Sequence, residues 1–134
     1  MSIQWEEKYS VGVKEIDEQH KRFIDILNSL YAAVYASETR EKLEEILVNL
    51  IKYKNNHFET EEKYFDLYDY ENSDEHKKEH QEITKRINEF YKQFKEKRAD
   101  ITLELMDFLE NWLVDHVDQQ DQKYVECFRK NGLK

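Results

Sequence analysis

The sequence contains no proline, two glycines and one cysteine among its 134 residues. Proline and glycine interrupt helices, so their scarcity favours long helices without breaks. The single Cys127 excludes an internal disulfide, and it excludes a metal site built from four thiolates of one chain. We therefore expect Cys127 to fill a small apolar space in a helical protein.

Long hydrophobic runs and an excess of positive charge are also missing. The chain has 21 Lys and Arg against 30 Asp and Glu, for a net charge of −9. Phosphate groups are bound by clustered Lys and Arg, so nucleic acid and anionic membrane surfaces are disfavoured as partners. No stretch approaches the roughly 18 apolar residues of a membrane span, and residues 1–13 lack the pattern of a secretory leader. These features predict a cytoplasmic protein that does not insert into membranes.

Apolar residues recur at spacings of three and four in four segments, as in helices with one buried face. The first helix is predicted from about Asp17 to Ala36, and the second begins after the possible caps Ser37 and Thr39. A bend is predicted over residues 67–72. These two helices and the bend account for the first half of the chain.

The second half of the chain carries the third and fourth helices. Asn72 and Glu75 resemble a capping box at the start of the third helix. A charged run over residues 92–100 is expected to form the next connection, with Asp100 as the N-cap of the fourth helix. The fourth helix is expected to continue irregularly towards Phe128.

Four helices of similar length with short connections favour an all-α, up-down-up-down four-helix bundle. At this chain length we expect one domain over residues 1–134. Residues 1–17 would form an N-terminal arm that lies along the bundle. Residues 18–130 would form the helices, including a short one at the C-terminus.

Histidines fall where such a bundle would bring them together. In this topology the starts of the first and third helices lie at the same end as the ends of the second and fourth. Histidines occupy all four of these positions, namely His20, His57, His76 and His116. Four independent helices would therefore deliver imidazoles to one layer.

Two pairs of potential ligands lie four residues apart, which puts both side chains on one helical face. Glu61 follows His57 at this spacing, and His80 follows His76. The neighbouring Glu62 is expected to face solvent. A lone buried histidine is usually a hydrogen-bonded core residue, but five buried imidazoles would need many partners in a small core. The histidines together therefore favour a metal site.

A further carboxylate, Asp121, lies five residues after His116 in the segment HVDQQD. At about 100° per residue, an ideal helix would turn it some 140° away from that histidine. Asp121 could join the site only if the helix widens or breaks there. The spacing alone leaves this possibility and a surface role equally open.

Five imidazoles and two carboxylates are too many donors for one metal ion and suit two. Imidazole with carboxylate suits iron, and also manganese or zinc, so spacing does not select the element. The di-iron oxidases of ferritin-like bundles use Glu-x-x-His pairs, and none of those pairs ends on a histidine of this chain. The expected centre is therefore richer in nitrogen than that class.

Four motifs spanning residues 15 to 121 resemble the hemerythrin family, in particular single-domain bacteriohemerythrins. They are EIDEQHKRF, HFETEE, HKKEH and WLVDHVDQQD. The resemblance implies two iron ions in a non-haem centre, with a bridging oxo or hydroxo, that binds O2 reversibly. One iron would be held by His76, His80 and His116, the other by His20 and His57, with Glu61 and Asp121 bridging.

The resemblance also implies an apolar pocket around the open position of the iron that has two histidines. Side chains that resemble this pocket lie within one helical turn of a candidate ligand, namely Phe23, Phe58, Trp112 and Val117. They would keep water away from bound O2. Each of them would also serve as ordinary core.

The resemblance favours an O2-binding protein for storage, transport or delivery, with no catalytic residues. An O2-consuming enzyme would then be a candidate partner, and the oligomeric state stays open. The alternatives are a di-iron enzyme acting on peroxide or nitric oxide, an O2 or redox sensor module, and a metal-free helical interaction module. Such an enzyme could move electrons along a path of tyrosines, and the candidates for that path are Tyr53, Tyr64 and Tyr68.

Overall fold

A computed structural model describes residues 3–96 and 103–134, apart from the side chains of residues 103, 104, 114, 118 and 119. Every regular element within these ranges is helical. In chain order they are a 3-10 helix (Glu7–Tyr9), α1 (Lys14–Tyr35), α2 (Arg40–Leu67), α3 (Ser73–Lys95), α4 (Leu103–Trp112), a π-helix (Leu113–Gln120), a second 3-10 helix (Asp121–Tyr124) and α5 (Val125–Lys130).

Neighbouring helices run in opposite directions. The start of α1 meets the end of α2, where Gln19 donates to Thr60 over 3.1 Å. The end of α2 meets the start of α3, where Lys77 donates to Asp66 over 2.6 Å. These contacts confirm the predicted antiparallel order of the first three helices.

The fourth helix runs antiparallel to α1. The phenol of Tyr31, late in α1, donates to Glu110 over 3.0 Å. Earlier in α1, the ring of Phe23 contacts that of Trp112, with ring centroids 5.0 Å apart. Residues later in the fourth helix thus meet residues earlier in α1, as the up-down-up-down bundle requires.

The N-terminal arm is attached to the first turn of α1. The carboxylate of Asp17 accepts hydrogen bonds from Ser10 Oγ over 2.5 Å and from the Val11 backbone N–H over 2.8 Å. Gly12 has a φ of +75°, a left-handed conformation that side chains other than glycine's rarely adopt. Helix α1 begins at Lys14, earlier than the predicted start at Asp17. Asp17 lies inside the first turn, where the helix dipole favours a carboxylate.

The turns after α1 and α2 use left-handed residues other than glycine. Ser37 has a φ of 53° and Asp69 a φ of 50°. Ser37 therefore lies in the turn that follows α1 and is not an N-cap of α2. Thr39 is that cap, as predicted, since its side chain accepts a hydrogen bond from the Lys42 backbone N–H over 3.2 Å.

Helix α3 begins without the predicted capping box. Asn72 is its N-cap, but the φ and ψ of −98° and 23° are not the extended values that let a side chain reach the next turn. The Asn72 side chain makes no cap hydrogen bond, so the predicted capping box with Glu75 is wrong. Helix α3 extends to Lys95, into the predicted connection. The predicted cap Asp100 lies outside the described residues.

The fourth helix widens after Trp112, as the predicted irregular continuation anticipates. The backbone N–H of Asp121 donates to the carbonyl of His116, five residues earlier, which is the hydrogen bond of a π-helix. A 3-10 turn and the predicted short C-terminal helix, α5, follow.

Apolar side chains form two clusters. The larger fills the bundle and includes Leu27, Leu50 and Leu109, whereas the smaller packs the arm and α5 around Phe65 and Phe128. The candidate metal ligands lie between the two clusters. No helix in the described ranges combines the length and the apolar character needed to cross a bilayer.

Candidate metal centre

The structure brings all seven predicted ligand side chains together in one buried layer. None of them is more than 4% exposed. They come from α1, α2, α3 and the widened end of the fourth helix, and the bundle topology brings these four segments to one end of the molecule. The seven are His20, His57, Glu61, His76, His80, His116 and Asp121.

The seven side chains divide into two groups that share one carboxylate. Within each group, the potential ligand atoms all lie within 4.8 Å of one another. One group is Glu61, His76, His80 and His116, and the other is His20, His57, Glu61 and Asp121. The division into three and two imidazoles is the one that the resemblance implies.

Both carboxylates face both groups of imidazoles. Asp121 directs Oδ2 at His20 Nε2, 3.1 Å away, and Oδ1 at the Nε2 atoms of His76 and His116, 3.0 and 3.2 Å away. Glu61 Oε1 lies 3.4 Å from His57 Nε2 and 3.0 Å from His80 Nε2. This arrangement matches carboxylates that bridge two metal ions.

The π-helix is what places Asp121 in the layer. In an α-helix, side chains five residues apart point in different directions. The wider turn between His116 and Asp121 lets both reach the same space, and both side chains are buried. The condition that the sequence sets for Asp121 to join the site is therefore met.

Six of the buried ligand atoms lack hydrogen-bond partners among the described residues, whereas Nε2 of His20 and Nε2 of His57 lie within hydrogen-bond distance of each other, at 3.2 Å. The six atoms are Glu61 Oε1, both carboxylate oxygens of Asp121, and Nε2 of His76, His80 and His116. Buried polar atoms are normally satisfied, and each unmade bond costs about 1–3 kcal/mol. These atoms lie close together, but no two of them meet the geometry of a hydrogen bond. Nitrogen and carboxylate oxygen in this arrangement fit metal ions.

Three imidazoles contact a polar side chain through the nitrogen that points away from the layer. The pairs are His57 with Gln19 at 2.7 Å, His80 with Glu62 at 3.0 Å, and His116 with Glu79 at 3.3 Å. An acceptor at Nδ1 leaves the Nε2 lone pair free to bind a metal and makes the imidazole more basic. Glu62 thus faces the site and not, as expected from the sequence, solvent alone.

The shared carboxylate is held from its other side by a tyrosine. The Tyr124 phenol donates to Glu61 Oε2 over 2.5 Å, and both side chains are fully buried. Oε2 is therefore satisfied, and Oε1 is left for the two groups of imidazoles. Tyr124 fixes the orientation of Glu61.

The electrostatics of the layer favour a cation. Burial lowers the pKa of His57 to about 3, so this imidazole is neutral as a ligand must be. Burial opposes a charge on His116 as well, but the Asp121 carboxylate and Glu79 raise its pKa to about 10. Asp121, despite its burial, has a pKa well below its usual range because His116 lies beside it. The negative field that holds a proton on His116 would attract a metal ion.

Aromatic rings cover the imidazoles. Phe58 stacks on His80 with ring centroids 3.8 Å apart, and Trp112 stacks on His116 at 5.1 Å. Phe23 contacts Trp112 edge-on. Surface grooves between α2 and α3 and between α3 and the fourth helix reach these two stacked pairs. The predicted pocket residues Phe23, Phe58 and Trp112 thus form one wall, and Val117 is fully buried near them in the larger cluster.

Four supporting side chains are missing from the residues predicted to form the site, namely Gln19, Glu62, Glu79 and Tyr124. Three of them lie next to a predicted ligand in the chain, where an ideal helix turns them about 100° aside. Only Tyr124 carries a usable signal. It follows Asp121 by three residues, about one helical turn, and so continues the same buried face.

Comparisons with known proteins agree with this geometry. The model of the family described as the hemerythrin HHE cation binding domain matches residues 11–128. The chain belongs to the hemerythrin family. The match includes every candidate ligand and ends at Phe128, within α5.

Relatives and solved structures extend the hemerythrin likeness over most of the chain. A bacteriohemerythrin of Pseudomonas aeruginosa (strain LESB58) is 31% identical over 125 residues, covering 93% of this chain and 80% of that protein. A myohemerythrin of Theromyzon tessulatum is 33% identical over 121 residues, covering 90% and 89%. A crystal structure of wild-type hemerythrin has a TM-score of 0.88 at 28% identity, covering 93% of this chain and 96% of that one.

Proposed function

We propose that this chain binds O2 reversibly at a non-haem di-iron centre. The observation that carries the proposal is the pair of four-residue groups that share Glu61, together with six buried ligand atoms that have no hydrogen-bond partner among the described residues. Membership of the hemerythrin family supports iron over manganese or zinc.

The proposed ligand assignment follows the two groups. His76, His80 and His116 would hold one iron, and His20 and His57 would hold the other. Glu61 and Asp121 would serve both. When bound, the iron pair supplies the two electrons that O2 accepts and returns. The second group has two imidazoles where the first has three, so it would leave more room for O2.

Charge balance supports two divalent ions. Two further carboxylates, those of Glu62 and Glu79, add their charges to those of the two bridging ones. They lie 3.0 Å from Nδ1 of His80 and 3.3 Å from Nδ1 of His116. Four negative charges around two divalent ions would give a near-neutral group. A near-neutral group is far less costly to bury than an isolated ion.

The chain's own residues would keep water from the bound gas. Phe58 covers one face of His80 and Trp112 one face of His116 where these imidazoles border the surface grooves, and Phe23 contacts Trp112. Val117 adds a fully buried apolar side chain. Excluding water and free protons favours release of O2 over irreversible oxidation of the iron.

We further propose that the protein serves O2 storage, transport or delivery in the cytoplasm and is not an enzyme. None of the seven proposed ligands is left over as a free acid or nucleophile for catalysis, since each belongs to one of the two groups or bridges them. An O2-consuming enzyme is the proposed recipient. A di-iron enzyme acting on peroxide or nitric oxide remains the competing proposal.

Anaerobic titration with ferrous iron, followed by admission and removal of O2, tests the proposal. We expect two irons per chain, with near-ultraviolet and visible charge-transfer bands that develop with O2 and vanish on deoxygenation. Glu61→Gln should lose both the second iron and the bands. Glu59→Gln, an exposed carboxylate on the same helix, is the matched control and should retain them. Bands that never reverse would favour the enzyme.

A further inference from the structure

A line of touching aromatic rings connects the candidate metal centre with the protein surface. It begins at buried Tyr124, whose phenol donates to Glu61 over 2.5 Å. The Tyr124 ring stacks on Phe128, with centroids 4.4 Å apart and planes 24° apart. Phe128 contacts Tyr64 at 5.8 Å and Tyr68 at 6.0 Å. The last two rings are half-buried, so the line reaches solvent within three rings.

Both ends of this line have a proton acceptor in place. Tyr64 donates its phenol proton to Glu15 Oε1 over 2.6 Å, as Tyr124 does to Glu61. A phenol that loses an electron becomes a strong acid, so a carboxylate within hydrogen-bond reach lets the electron and the proton leave together. The rings of Tyr64 and Tyr68 are also nearly parallel, with centroids 6.0 Å apart and planes 5° apart.

We propose that Tyr124, Tyr64 and Tyr68 form an electron relay, with the Phe128 ring as the medium between them, that would supply the iron pair from the surface when it meets hydrogen peroxide. The relay rests on the proposed iron centre but goes beyond O2 binding. Its role is protective, since electrons drawn from surface phenols spare the buried ligand side chains from oxidation.

The electrons and protons of the relay balance. Hydrogen peroxide accepts two electrons and two protons and becomes two water molecules. Tyr64 and Tyr68 each lose one electron and one proton. The proton of Tyr64 passes to Glu15 and that of Tyr68 to solvent, while solvent supplies the protons consumed with peroxide. Tyr124 would pass an electron towards the iron pair while its phenol proton moves to Glu61. It would then regain an electron from Tyr64 or Tyr68 and the proton from Glu61.

The two phenoxyl radicals left at the surface have defined fates. They can couple through a new carbon–carbon bond between the rings, which gives a dityrosine link. Alternatively, an external thiol reduces each radical back to the phenol, and two oxidised thiols form a disulfide. The first fate leaves a stable mark that can be located in the chain.

A packing role alone would not require the hydroxyls. In the same cluster, Phe65 and Phe128 are fully buried rings without a polar atom. The phenols of Tyr124 and Tyr64, by contrast, each donate a hydrogen bond to a carboxylate. The two roles therefore predict different results for variants that keep the rings and remove the hydroxyls, or that remove the intervening ring.

The test uses the full chain, loaded with iron and treated with hydrogen peroxide. Tyrosyl radicals are followed by freeze-quench electron paramagnetic resonance, and oxidised residues are located by peptide mass spectrometry. The internal control is Tyr91, which also donates to a carboxylate, that of Glu44 over 3.1 Å, but contacts none of the rings of the relay. We expect oxidation and dityrosine at Tyr64 and Tyr68, several-fold above Tyr91, and only when iron is bound.

Two variants separate the relay from packing. Phe128→Leu should lower oxidation of Tyr64 and Tyr68 several-fold while Tyr91 is unaffected. The double change Tyr64→Phe and Tyr68→Phe keeps both rings, so it should fold even if Phe128→Leu does not. It should raise peroxide damage to the ligand histidines several-fold, whereas Tyr91→Phe should not.

The same samples separate failure of the relay from failure of the proposed function. If iron binds and the O2 bands reverse, but Tyr64 and Tyr68 are oxidised no more than Tyr91, the relay is overturned and O2 binding stands. Unchanged histidine damage in the double variant would also overturn the relay. A chain that binds no iron would overturn both.

Discussion

The hydroxyl of Tyr124 offers the sharpest test of how the candidate centre is held together. It donates over 2.5 Å to Glu61, and both side chains are fully buried. Tyr124→Phe removes this one bond and keeps the ring that stacks on Phe128. The variant therefore leaves Glu61 Oε2 buried without its donor, while the packing changes little.

The expected loss can be worked out from this geometry. A hydrogen bond to a charged group contributes about 1.5–3 kcal/mol to the free energy of unfolding. With an unfolding entropy of about 2.1 cal/mol/K per residue, 134 residues give about 0.28 kcal/mol/K. The melting temperature of the metal-free chain should thus fall by roughly 5–11 °C. Iron affinity should fall by about 10–100-fold, as is typical when an outer partner of a ligand is removed.

Calorimetric melts of the metal-free chain and competition titrations of iron measure the two effects. Tyr91→Phe is the matched control, because it removes a phenol that donates to the partly exposed Glu44 over 3.1 Å. Surface changes of that kind stay within about 0.5 kcal/mol, or roughly 2 °C here. Equal shifts in the two variants, or parental iron affinity in Tyr124→Phe, would refute the argument that Tyr124 orients Glu61.

The remaining predictions concern the metal and its wall. His80→Ala should abolish binding of the iron pair and lower the melting temperature of the iron-treated protein to that of the metal-free chain, because binding and folding are linked. Two irons per chain retained in that variant, by elemental analysis, would contradict the assignment. Trp112→Ala should keep the iron but hasten its irreversible oxidation, followed as loss of the O2 bands. Phe94→Ala, a buried aromatic truncation with a similar stability loss of about 3–5 kcal/mol, should leave that rate unchanged.

Helix positions and most of the site could be predicted because both depend on local spacing. His57 with Glu61 and His76 with His80 are neighbours on any α-helix, whatever the rest of the chain does. Only the bundle topology was needed to bring such pairs together. The residue at the start of α3 was less predictable, because a cap depends on the φ and ψ of one residue, here Asn72.

The outer partners of the imidazoles could not be predicted because they depend on how each helix is rotated. Glu62 reaches His80 across 18 positions of the chain, and Gln19 reaches His57 across 38. A rotation of either helix by a few tens of degrees would send the same side chains to solvent. Spacing within one helix contains no information about that rotation, so polar residues beside a ligand look like ordinary surface.

Asp121 shows how the fold and the site depend on each other. The π-helix makes poorer backbone geometry than an α-helix, so something must stabilise it. Without the wide turn, the Asp121 carboxylate would point some 140° from His116, away from the layer. With it, the carboxylate lies 3.0–3.2 Å from His20, His76 and His116. Burying a charge without partners costs several kcal/mol, so the wide turn and the layer of imidazoles that faces Asp121 must form together. The extra residue between His116 and Asp121 is therefore the feature of the fold that adds a second carboxylate to the five imidazoles and completes the candidate site for two metal ions.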